Sequence, residues 1–142
     1  MLNKIRLSGQ GIELAYQDAG SGPPVVLVMG LGAPADAWAP HVKAWVGSFR
    51  CIAVDNRGAG GSSAPSGPYR TAQLADDYAE LISRLGLESV RVVGISMGGA
   101  IAQELALRHP HLVDRLVLVS SWARLPRHSV ETFENLADVA PR

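Results

Sequence analysis

Four short runs dominated by aliphatic residues, at positions 25–28, 51–54, 90–93 and 116–119, recur along the chain and constrain its fold more than any other feature. None keeps up the apolar and polar alternation of a half-solvated strand, so each reads as a strand covered on both faces. Between them lie residues 38–46, 71–85 and 97–108, whose apolar side chains recur at helical spacing, as Leu74, Tyr78, Leu81, Ile82 and Leu85 do. Thr71 is placed to cap the second of these helices and Gly86 to end it. Strand and helix in alternation imply right-handed crossovers, and the predicted fold class is α/β, a mostly parallel sheet with helices on both faces. Ahead of the first run, Lys4-Ile5-Arg6-Leu7 and Ile12-Glu13-Leu14-Ala15-Tyr16 alternate about the turn Gly9-Gln10-Gly11, which predicts an antiparallel hairpin at the sheet's N-terminal edge.

The segment Val92-Val93-Gly94-Ile95-Ser96-Met97-Gly98-Gly99 places a G-x-S-x-G where the third run meets a helix. A serine hydroxyl used as a nucleophile must stand clear of the backbone on a tight turn, and such a turn needs small neighbours, here Gly94 and Gly98. The same turn sets Ser96 at a helix N-terminus, where unpaired N–H groups and the positive dipole end favour a developing anion. Met97 N–H is one expected oxyanion donor. The loop after the first run, Met29-Gly30-Leu31-Gly32, offers Leu31 N–H as the second; read alone these glycines also fit a plain strand-to-loop turn, but together with Ser96 the functional reading is the better one.

A further segment, Asp55-Asn56-Arg57-Gly58-Ala59-Gly60-Gly61-Ser62, follows its own strand. With the serine turn and the Gly30 loop it makes the chain resemble the α/β-hydrolase superfamily over residues 3 to about 122, with closest likeness to serine esterases and enol-lactone hydrolases. The resemblance implies acyl transfer to Ser96 on a carboxylic ester or lactone, a structural role for the segment from Asp55 to Ser62 in bracing the active-site loops, and no catalytic role for Asp55. It also implies the chain order serine, acid, histidine, so the partners of Ser96 are sought after it. His109 and His111 lie at the far end of the helix that Ser96 begins, His128 falls in a loose later segment, and the fourth run is followed by Ser120, Ser121 and Trp122 rather than a carboxylate. Asp114 and Asp138 read as solvated. The expectation is a core covering residues 1–122, the start of a cap over 123–142, and a catalytic set without its acid and histidine, about half of such an enzyme being absent.

That reading leaves the run at 116–119 as an unpaired apolar edge, where self-association or a complementary chain is expected. Two other readings share the same residues: a non-catalytic α/β module that binds a small acyl ligand or a partner chain, and one half of a split enzyme.

Lys plus Arg equals Asp plus Glu at 13 each, so no basic footprint for nucleic acid or an anionic membrane is present. No metal-ligand set stands out, and Gly58-Ala59-Gly60-Gly61 has neither dinucleotide nor P-loop spacing, so no metal and no cofactor are expected. Cys51 is the single cysteine and reads as a buried thiol. Without a signal-peptide core or a membrane-length apolar run, a soluble cytoplasmic protein is the default expectation.

Overall fold

The computed structural model describes residues 1–125. Six strands form one sheet: β1 (Leu2–Leu7), β2 (Ile12–Ala19), β3 (Pro24–Val28), β4 (Arg50–Val54), β5 (Val90–Ile95) and β6 (Val113–Val119), in spatial order β1-β2-β4-β3-β5-β6. The N-terminal hairpin is antiparallel, β2 joins β4 antiparallel, and β4, β3, β5 and β6 run parallel, as the alternation of strand and helix predicts. Gly11 takes φ 66° and its N–H bonds back to Leu7 at 2.9 Å, which closes the predicted hairpin turn.

The runs at 25–28 and 51–54 are buried on both faces because successive side chains point to opposite sides of the sheet, whereas the run at 116–119, expected to be covered likewise, leaves Val117, Leu118 and Val119 exposed because β6 is the edge strand. Val26, Val28, Ile52, Val54 and Val92 pack against Leu74, Tyr78, Leu81 and Ile82 of α2 (Thr71–Arg84) and Ile101 and Leu105 of α3 (Met97–Arg108). Val25, Leu27, Cys51 and Ala53 face the other way, onto Ala35 and Trp38. Cys51 is buried as expected, and burial pushes its thiol up from the ordinary value.

The helix expected over residues 38–46 is α1 (Ala39–Trp45), entered through a 3-10 turn over Ala35–Trp38 and with a proline at its start, where the missing N–H costs nothing. One local expectation is corrected. Thr71 is the first helical residue of α2, and Arg70, extended at φ −117° and ψ 145°, holds the cap position without a side-chain cap. Gly86, at φ 68°, does end that helix.

Among the described residues no helix is long and apolar enough to cross a membrane. Of the segment 123–142 expected to begin a cap, residues 126–142 lie outside the described residues, as do His128 and Asp138.

Candidate active site

The chain runs from β3 outward to β4 and later returns to lay β5 on the other side of β3. The crevice at the carboxyl ends of β3 and β5 is therefore the sheet's topological switch point, the place where open α/β sheets bind ligands. Val28 pairs with Gly94, so the loop after β3 and the turn after β5 lie side by side.

Ser96 occupies that turn with φ 55° and ψ −125°, a conformation that costs a non-glycine residue on the order of 1–3 kcal/mol and must be imposed by its surroundings. Its N–H donates to Val119 O at 3.0 Å, and its carbonyl accepts from Gly99 N–H at 2.9 Å and from the Ser121 hydroxyl at 2.8 Å. The flanking glycines are dictated by contact. A Cβ on Gly94 would meet the Gly98 carbonyl carbon at 2.7 Å, and one on Gly98 would meet the Met29 carbonyl oxygen at 2.7 Å. Gly98 thus lets α3 begin directly against the end of β3.

Gly30 brings the other wall in close, since a Cβ there would stand 3.3 Å from the Ser96 Cβ and 3.7 Å from its Oγ. Leu31, Ser96 and Met97 line one cavity of about 270 Å³ together with Thr71, Ala100, Trp122 and Leu125. Met97 opens α3, so its N–H has no carbonyl one turn back to bond. The half-buried Ser96, the first residue of α3 and the loop residue Leu31 thus border a common space, large enough for a small acyl group beside the serine.

The segment after β4 braces this crevice. Asp55, buried, accepts from Ala35 N–H at 2.6 Å and Gly61 N–H at 2.8 Å, while Asn56 donates to Met29 O at 2.9 Å and accepts from the Tyr78 hydroxyl at 2.8 Å. Arg57 reaches Asp77 on α2 through two bonds, of 2.6 and 2.5 Å. Asn56 thereby fixes the residue just before Gly30. The segment from Asp55 to Ser62 thus braces the site's loops as the sequence suggests; the role of Ser121 is missed by sequence reasoning, and the available signal was a pair of small polar residues just past a parallel strand.

Among the described residues the Ser96 hydroxyl has no hydrogen-bond partner. His109 caps the C-terminus of α3, a helix of 12 residues and so roughly 18 Å long, and bonds Asp76 at 2.8 Å. His41 stacks between Trp38 and Trp45, at 5.2 and 5.5 Å. Asp114 lies near the start of β6 and pairs with Arg91 and Arg115 at 3.7 Å.

Residues 23–141 match a family profile described as alpha/beta hydrolase fold. A Mycobacterium tuberculosis protein provisionally named as the non-heme bromoperoxidase BpoC is 44% identical over 118 residues, which cover 82% of this chain and 45% of that protein. A crystal structure of a hydrolase from Pseudomonas aeruginosa PA01 superposes with a TM-score of 0.90 at 32% identity, over 99% of this chain and 54% of that one. A malate-bound thermophilic esterase from Thermogutta terrifontis gives 0.88 at 32% identity, over 97% and 52%. The chain spans about half the length of each of these proteins.

Proposed function

The chain belongs to the alpha/beta hydrolase family, and on that premise we propose that it carries the nucleophile half of a serine hydrolase acting on carboxylic esters or lactones. Ser96 Oγ attacks the carbonyl carbon, and the amides of Leu31 and Met97 hold the resulting oxyanion. Collapse expels the alkoxide and leaves an acyl group on Ser96, which water then removes. The observation that carries this reading is the strained Ser96 turn, φ 55° and ψ −125°, opening onto a cavity shared with Leu31 and Met97. A conformation of that cost is retained where a side chain has to be presented.

The hydroxyl proton must pass to a base, and residues 1–125 give Ser96 none. The proposal therefore assigns the base and its acid partner to polypeptide outside those residues, whether later in the same chain or in another. A ligand-binding module without chemistry would leave the strain at Ser96 without a purpose.

The test is fluorophosphonate labelling followed by intact mass, beside p-nitrophenyl acetate hydrolysis, on the 142-residue chain and on Ser96→Ala. Turnover near background and only slow labelling at excess reagent, absent from Ser96→Ala, are expected, because phosphonylation and acyl transfer alike need the hydroxyl proton removed and oxyanion binding without a positioned base leaves only residual catalysis. A folded chain whose labelling on prolonged exposure to excess reagent does not exceed that of Ser96→Ala rejects the nucleophile.

A further inference from the structure

A second cavity, of about 310 Å³, adjoins the one at Ser96 and shares Leu31, Thr71 and Met97 as walls. The two differ in charge. The serine cavity is lined by no ionisable side chain except Ser96 itself, whereas the second is lined by Arg57 and Arg70 and by no carboxylate. Arg57 is spent: its guanidinium is buried against Asp77, and the Tyr69 ring lies 5.9 Å from it. Arg70 is exposed beside that pair and makes no ion pair among the described residues.

A cation without a partner on a surface is ordinarily solvated and says little. Arg70 differs by position, because it stands on a cavity that shares three walls with the one at Ser96. A ligand whose carbonyl sits at Ser96 and whose chain passes the Leu31, Thr71 and Met97 walls meets a positive charge at the far end. We infer that this second cavity is a carboxylate subsite, with Arg70 as its specificity-determining residue. The favoured substrates are then esters that carry a free carboxylate on the acyl side, such as half-esters of short dicarboxylic acids. The inference rests on the Ser96 reading for where the ester lies, but the binding it forecasts requires no bond to break.

The experiment is an amide chemical-shift titration of the isotope-labelled 142-residue chain with monomethyl succinate, glutarate and adipate, each beside its neutral dimethyl ester. The monoanion of at least one pair is expected to bind roughly three- to fivefold more tightly, the range of an exposed charge pair, with shifts at the amides of Leu31, Arg70 and Met97. Arg70→Gln should bind both members of the pair equally, Arg70→Lys should keep part of the preference, and Arg124→Gln, an exposed cation on neither cavity, should keep all of it. Equal binding of both esters to the unaltered chain, no saturable shifts with either, or a preference that survives Arg70→Gln overturns the subsite. A preference that persists while fluorophosphonate fails to label Ser96 keeps the subsite and removes only the nucleophile.

Discussion

The Ser121 hydroxyl donates to the carbonyl of Ser96 at 2.8 Å, and to do so it packs so closely over Gly99 that no side chain fits there. The second residue past β6 thus helps hold the strained turn after β5, across two adjacent parallel strands.

Gly99→Ala should therefore destabilise the chain by about 1–3 kcal/mol, the usual cost of overpacking, because the new Cβ meets the fixed Cβ as well as the Oγ of Ser121. Ser121→Gly alone should cost about 1 kcal/mol for the lost hydrogen bond. Combined, the two should cost clearly less than their sum, since the second removes what the first strikes. Urea unfolding of the three variants measures this, and simple additivity would break the proposed contact.

The Arg57 and Asp77 side chains are only 3% and 2% exposed. Burial pushes the Asp77 carboxyl above its ordinary range and the Arg57 hydrogen bonds pull it back, so desolvation offsets much of the attraction. Removing one partner is another matter. Asp77→Asn leaves a buried guanidinium uncompensated and should cost about 3–5 kcal/mol, whereas Arg57→Met with Asp77→Leu should cost markedly less. Denaturant midpoints decide it: a double variant no more stable than Asp77→Asn would show the pair to be needed for more than its charge balance.

The elements that were legible in the sequence are those whose constraints are local. Gly94, Ser96 and Gly98 announce their turn because strand, nucleophile and helix are consecutive, and the 25–28 and 51–54 runs announce two-sided burial by composition alone. Ser121 was opaque because it acts on a neighbouring strand, and the order β4-β3-β5-β6 that makes β6 and β5 neighbours is not written in any periodicity. Thr71 failed as a cap for a different reason: its hydroxyl suits the role, but the helix starts one residue earlier than capping chemistry would choose, and Arg70 is left at the cap position on the second cavity.

At the end of the sheet away from Ser96, Asp76 is bonded by Arg108 at 2.7 Å and by His109 at 2.8 Å. The Arg108 hydrogen bond, ahead of His109, holds the Asp76 carboxyl below its ordinary value of 3.8. A carboxyl depressed by folding binds its proton more weakly in the native than in the unfolded chain. Its contribution is accordingly present above pH 3.8 and lost as pH falls through the lower, folded value. Asp76→Asn should lower stability at pH 7 and make the acid limb of the stability curve shallower than that of the unaltered chain. Unfolding midpoints from pH 7 to 2.5 test the sign; an unchanged acid limb in Asp76→Asn would show that the pairing is fully screened by solvent.

Among the described residues β6 pairs only with β5, and Val117, Leu118 and Val119 on it are 51%, 44% and 38% exposed. Beside it the sheet face carries an apolar hollow of about 410 Å³ lined by Trp38, Trp45, Phe49, Val93, Ile95 and Val117. An open row of backbone N–H and C=O groups next to uncovered aliphatic surface favours pairing with another strand, and a lysine on such an edge opposes it by having to be desolvated in the pair. The 142-residue chain should therefore associate as its concentration rises, and Val117→Lys should shift that association to markedly higher concentration. Sedimentation velocity across a hundredfold concentration range, with both chains at equal ionic strength, separates the outcomes. A chain that stays monomeric throughout, or a Val117→Lys chain that associates as readily as the original, would mean that this edge is covered by something other than a second copy.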